Sequence, residues 1–294
     1  MAIVASEIKW FKSALVSDTP ASNGGRMSST EIPSGVKNNI FPDVSQAQRA
    51  AGVTHLRKAF IAVRNSANLT LLDPKISIEK GTPGDSYVLL YPGTQTDTAD
   101  ALTARPYGYG TLAADAAAEA TSLTVTTEVD YSAMDPNPIQ IGDLIRIDAR
   151  ADVTQSGDSE YAEVASISYS GTTATIGLTA GLEHSYTAAD GVHVATAMVP
   201  GNVSAAFDNV ATSGDATFDE TGGNLAVTAL GAIEQSWTIT VVNAATGELS
   251  VAGDTVGTIG SGALGATLAP ANPNTGQPYF TVRAAGWGGP PANG

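Results

Sequence analysis

The chain has 294 residues, 43% of them hydrophobic and only 15% charged, with 31 glycines and no cysteine. This length allows two or three domains with sizeable cores, and the missing cysteines exclude a disulfide framework and thiolate chemistry. The net charge of −15 is unevenly spread: residues 1–110 carry eleven Lys/Arg against nine Asp/Glu, a sum of +2, and residues 111–294 carry three against twenty, a sum of −17. An acidic rear repels phosphate and the front holds no dense basic patch, so no direct nucleic-acid binding is expected. No run of eighteen apolar residues occurs, so no membrane insertion is expected. The opening MAIVASEIKWFKSALV lacks a basic segment followed by a clean apolar one and does not read as a signal peptide.

Residues 1–42 read as an extended arm. After a short first segment, Ile8–Val16, the chain is punctuated by Pro20, Gly24, Gly25, Pro33, Gly35 and Pro42 with small polar residues between them. Apolar anchors recur along it: Met27, Ile32, Val36, Ile40 and Phe41. A polar arm with spaced anchors suits a chain that lies across a neighbouring subunit; the alternative is a terminus that orders on its own domain.

Residues 43–110 read as an N-terminal α+β or β domain. Its opening stretch, DVSQAQRAAGVTHLRKAFIAVRN, predicts a short helix capped by Asp43, with Gln46 as capping-box partner and Gly52 as the stop. A strand over Leu56–Val63 follows. Five of the fourteen Lys/Arg gather here: Lys37, Arg49, Arg57, Lys58 and Arg64. Further strands are expected at Lys75–Lys80, which alternates cleanly, and Ser86–Tyr91, a continuous apolar run.

Residues 111–199 read as a small antiparallel barrel or sandwich. Strands are expected at Ser122–Thr127, Asp143–Ile147, Glu160–Tyr169, Thr173–Leu178 and Val192–Ala197, with a hairpin turn at Ser170-Gly171. Residues 200–294 read as an immunoglobulin-like C-terminal sandwich. Its strands are expected at Val203–Phe207, Leu225–Thr228, Ser236–Val242, Leu249–Val251 and Tyr279–Val282, with Trp237 in the core. The fold class is thus mainly β: an extended arm and one short helix, followed by small antiparallel barrel or sandwich domains.

Catalytic signatures are missing. His55, His184 and His193 fit no metal-ligand spacing; His55 reads as a polar edge residue, while His184 and His193 flank one loop. No nucleophile elbow and no glycine-rich phosphate cradle is present. The carboxylate pairs Glu160/Glu163 and Asp219/Glu220 read as solvated faces, because a sugar cleft needs more aromatics than the 6% present. Asp215, Asp219 and Glu220 sit among glycines without the spacing of a calcium loop, and read as an acidic turn. No cofactor, metal or catalytic residue is expected.

Two groups of residues carry a resemblance. RMSSTEIPSGVKNNIFPDVSQAQRAAGVTHLRKAFIAVRN with GTPGDSYVLLYPGTQTDT resembles the N-terminal region of virion structural proteins of tailed bacteriophages. ATSLTVTTEVD, IQIGDLIRIDARAD, YAEVASIS and ATIGLTAGLEHSY resemble a small β-domain of phage head and tail proteins, and NPNTGQPYFTVRAAGWGG is similar to phage sequences too. Some relatives continue past GWGG, whereas this chain ends in PPANG. The resemblance implies a non-enzymatic repeated subunit, localised in a virion built in the bacterial cytoplasm, whose partners are copies of itself and other virion proteins. A tail or baseplate component leads. A head decoration or minor capsid protein is the alternative within the class. A carbohydrate- or receptor-binding module, using Tyr107, Tyr109, Tyr186 or Trp287, is the alternative outside it. Met27, Ile32, Val36, Ile40, Phe41, Arg57, Lys58 and Arg64 are the expected inter-subunit contacts, and removal of residues 1–42 is expected to abolish assembly while the β-domains fold.

Overall fold

The computed structural model describes residues 2–67, 69–82, 86–150, 155–201, 205–207 and 209–289. In chain order the strands are β1 (Ile8–Leu15), β2 (Gly24–Glu31), β3 (Ala59–Val63), β4 (Tyr109–Leu112), β5 (Ser122–Thr127), β6 (Leu144–Asp148), β7 (Ser159–Ser170), β8 (Thr173–Leu178) and β9 (His193–Thr196). They continue with β10 (Thr217–Phe218), β11 (Leu225–Ala226), β12 (Trp237–Asn243), β13 (Glu248–Gly253), β14 (Gly257–Ala263), β15 (Thr281–Val282) and β16 (Trp287–Gly288). The helix α1 (Gln46–Ala51) lies between β2 and β3. All strand pairing is antiparallel. The chain divides into two compact units, one of Met1–Leu71, Thr94–Leu102 and Asn202–Gly294, the other of Leu72–Gly93 and Thr103–Gly201. The first and last expected segments therefore contribute to the same unit.

The second unit is a closed six-stranded barrel in the order β4-β5-β8-β7-β6-β9. Its strands close because apolar residues recur every second position, so one face of each strand is buried. Leu123 and Val125 of β5, Ile145 and Ile147 of β6, Ala174, Ile176 and Leu178 of β8 and Val194 of β9 share one interior with Tyr131 and Ile139. The Tyr131 hydroxyl donates to the Tyr109 carbonyl at 2.9 Å, and burial pushes its pKa up. Gly110 lies where β4 crosses β5: a Cβ there would sit 2.5 Å from the Thr126 carbonyl oxygen. Lys75–Lys80 and Ser86–Tyr91 are not strands. Each holds a single bridge, Ile76 to Met198 and Leu90 to Tyr107. Clean alternation thus marks half-burial against the unit without a ladder.

The first unit departs further from expectation. The segment 1–42 is not an extended arm over its whole length: β1 lies between β2 and β3 in a three-stranded sheet. Phe11 of β1 faces Phe60 of β3, both buried, and Arg64 lays its guanidinium over the Phe11 ring at 4.9 Å. Pro20 opens a short helical turn between β1 and β2, and Gly24 and Gly25 begin β2 itself. Gly24 takes φ 112°, and a Cβ there would meet the Asp97 carbonyl oxygen at 2.8 Å. Residues 202–294 supply a three-stranded meander, β12-β13-β14, and two ribbons, β10-β16 and β11-β15. Ile233, Val241, Leu249, Val251, Leu268, Tyr279, Phe280 and Val282 form their core, with Trp237 against Tyr279 and Phe280. Met27 of β2 packs against the same core, and Arg26 pairs with Asp254. The expected strand at Val203–Phe207 lies partly outside the described residues.

Candidate functional site

The only α-helix among the described residues sits in a largely exposed stretch. Between Ile32, which is buried, and His55, which is half-buried, residues 33–54 are exposed throughout except for half-buried Asn39 and Gln48. This strap carries five large apolar side chains, Val36, Ile40, Phe41, Val44 and Val53, each between 37% and 53% exposed. No residue of α1 is buried. A six-residue helix is too short to persist on propensity alone, so local bonds set its form. The Ser45 hydroxyl accepts from the Gln48 amide at 3.2 Å, and the Gln48 side chain accepts from the Ser45 amide at 3.0 Å. The cap is therefore Ser45 with Gln48, not Asp43 with Gln46. A serine three residues before a glutamine closes the same reciprocal pair two positions later. Asp43 instead accepts from the Asn38 side-chain amide at 2.6 Å, and Gly52 ends the helix at φ 74°.

The eight residues expected to make contacts divide into two sets. Val36, Ile40 and Phe41 lie on the exposed strap. Ile32 and Ile40 line a small cleft at its root together with Lys12, Val16, Arg57 and Lys58. Arg57, Lys58 and Arg64 are committed within the unit. The Arg57 side chain is only 8% exposed and donates to the Ser17 carbonyl at 3.1 Å and to Asp18 at 2.6 Å. These contacts hold the Asp18 carboxyl below its ordinary range, with His55 contributing a contact at 3.0 Å. Lys58 donates to the Asp97 carbonyl at 2.9 Å, pairs with its carboxylate and lies over the Phe60 ring at 5.0 Å. Arg64 donates to the Ala232 carbonyl at 3.2 Å, and burial lowers its pKa to about 10. Met27 is half-buried against the C-terminal core. The strap is thus the exposed part of this set, and Arg57 and Lys58 line the cleft at its root.

The remaining candidates resolve into structural roles. Glu160 is not a solvated carboxylate: it is 9% exposed and accepts from the Glu183 and His184 amides at 2.8 and 3.1 Å and from the Tyr186 hydroxyl at 3.0 Å. It pins the loop after β8 to β7. Asp219 accepts from the Thr221 amide at 2.9 Å and hydroxyl at 2.7 Å, which closes the acidic turn. Among the described residues no three His, Asp or Glu side chains are grouped as a metal site. His184 stands edge-on to Tyr186, while His193 stacks on Tyr109 at 5.0 Å. On the outside of the barrel Arg146 and Arg150 pair with Asp148 and Glu79, beside His193. Of the four aromatics considered for sugar binding, Tyr109 and Tyr186 are buried and Tyr107 and Trp287 half-buried, so no exposed platform forms.

No protein-family model matches the chain, and comparison with curated proteins finds none similar to it.

Proposed function

We propose that this chain is a non-enzymatic structural subunit of a tailed-bacteriophage particle, of the tail or baseplate, that assembles with copies of itself and other virion proteins through the strap at residues 33–54. The observation that carries the reading is that strap: twenty-two residues with a preformed helix and five apolar side chains that its own unit leaves 37–53% exposed. Covering a large apolar side chain stabilises by about 1.5–3 kcal/mol when exposure goes from full to none. Five half-exposed ones therefore supply several kcal/mol to whatever packs on them. The resemblance of this stretch to N-terminal regions of phage virion proteins supports other virion proteins as the class of partner. The compact barrel, with its charge-rich outer surface, serves as a rigid module in such a particle. The sugar-binding alternative loses support because two of its four aromatics, Tyr109 and Tyr186, are buried and none is fully exposed.

Removing residues 1–42 is not a clean test, since it deletes β1 and β2 and with them two of the three strands of their sheet. The substitutions Val36→Ser, Ile40→Ser and Phe41→Ser leave the sheet intact. The triple variant is expected to keep the thermal midpoint of the unaltered protein and to lose incorporation into particles when supplied in trans to phage lacking the protein. Normal incorporation by the triple variant would remove the strap from the account.

A further inference from the structure

β14 is an outer strand of the β12-β13-β14 sheet, and among the described residues no strand or bridge pairs with its other side. Outer strands usually carry a device against pairing: a lysine, a proline, an inward charge or a covering segment. β14 reads Gly-Thr-Ile-Gly-Ser-Gly-Ala and contains no charge and no proline; its one irregularity is a bulge at Ile259, between Thr258 and Gly260, which face Ala252 and Val251 of β13. It lies within residues 255–282, which hold no Asp, Glu, Lys or Arg and form the longest uncharged run in the chain. Gly260, near its middle, follows the bulged Ile259. Its φ is not positive, and a Cβ would meet only Pro270 at 3.9 Å, an ordinary contact. Glycine inside a strand weakens it and often marks the close approach of another backbone.

We infer that β14 pairs antiparallel with β14 of a second copy about a two-fold axis near Gly260, joining two three-stranded sheets into one of six strands. Charge selects the occupant. Each copy carries −15, so copies repel one another except where the touching surface lacks acidic groups. Antiparallel self-pairing of β14 sets only Gly, Thr, Ile, Ser and Ala opposite each other, and Asp254 at the preceding turn is neutralised by Arg26. A contact that uses the same patch on both copies is the commonest symmetric arrangement of protein chains. The opposite edge, β12, is more encumbered, because Glu234 and Ser236, just before its start, are both held by Arg26 of β2. This contact is separate from the strap and stands whether or not the particle reading does.

The test uses the full chain over a hundredfold concentration range, with mass read by sedimentation equilibrium and backbone protection by hydrogen exchange. The unaltered protein is expected to rise from 29.8 kDa toward at least twice that mass, with the amides of residues 257–263 slowing in parallel. Thr258 and Ser261 are exposed, so the double variant T258K/S261K keeps the unit folded while setting like charges across the edge. It is expected to raise the dissociation constant at least about tenfold and to remove the slowing. S122K/T175K, at exposed barrel positions with the same charge change, is expected to behave as the unaltered chain. Exchange of residues 257–263 that is independent of concentration overturns the inference, as does unchanged association of T258K/S261K. Loss of larger assemblies in the strap variant with protection of β14 retained supports this edge independently of the strap.

Discussion

Glu160 and His193 show how single buried polar groups set the stability of the barrel. Glu160 gathers three donors from the loop after β8. Its replacement by alanine leaves two part-buried amides and the buried Tyr186 hydroxyl without an acceptor, a loss of about 1–3 kcal/mol. Glu160→Ala is therefore expected to lower the thermal midpoint and to speed hydrogen exchange in residues 181–191; an unchanged midpoint and unchanged exchange there would contradict the clamp. Burial lowers the pKa of the His193 imidazole, against the opposing effects of its hydrogen bond to Ile78 and of Asp148. A base whose folded value is depressed is protonated preferentially in the unfolded chain. Its stability contribution is complete above the ordinary imidazole value of 6.5 and is lost as pH falls through the lower folded value. Stability is thus expected to decline as pH falls below 6.5, and His193→Phe, which keeps a ring against Tyr109, is expected to flatten that part of the profile. Below that window a second decline follows. Burial of Asp148 raises its pKa, but the Arg150 hydrogen bonds and the Arg146 charge outweigh it and hold the carboxyl below 3.8.

Among the elements, the barrel strands were the most legible. Leu123, Val125, Ala174, Ile176 and Leu178 alternate with small polar residues, and an interior lined from both sides needs little more than that period. The sheet β2-β1-β3 was less legible. In IKWFKSAL only Phe11 and Ser13 are buried, and β2, GGRMSSTE, has the composition of a loop, yet the register with β1 and the contact of Met27 with the C-terminal core order it. Such ordering comes from residues more than two hundred positions away, such as Asp254 against Arg26, and no local window contains it. The strap was readable in part. Val36, Ile40 and Phe41 stood out as apolar residues in polar surroundings, whereas the internal pairing of Arg57, Lys58 and Arg64 required the fold. Glycine spacing was readable as turn chemistry but not as close approach. Gly110→Ala drives a Cβ against the Thr126 carbonyl oxygen, and backbone cannot yield as a side-chain tip can. The substitution is expected to destabilise the barrel by about 1–3 kcal/mol; a thermal midpoint equal to that of the unaltered chain would show that β4 and β5 can move apart without loss.

At the scale of the whole molecule, the chain combines two kinds of surface. Most of it is strongly acidic, with the charge concentrated in residues 111–294. The strap at 33–54 and the edge of β14 carry little or no acidic charge: the first is apolar and pre-shaped, the second a run of unpaired backbone. A protein with this distribution repels its copies in most orientations and admits them in few, which favours a defined assembly over aggregation. The salt dependence follows. Screening shortens the reach of the repulsion to about 8 Å at 0.15 M, so association is expected to strengthen as salt rises from 0.01 to 0.5 M, and weakening over that range would point to contacts made by opposite charges instead.

The measurement that bears most directly on the proposed role is the mass of the purified full-length protein by light scattering, with negative-stain images of the same sample. A self-assembling particle subunit gives rings or tubes of many copies, and the Val36→Ser, Ile40→Ser, Phe41→Ser variant gives nothing larger than a dimer. A monomer at every concentration, or rings and tubes from the triple variant as readily as from the unaltered chain, would contradict assembly through the strap.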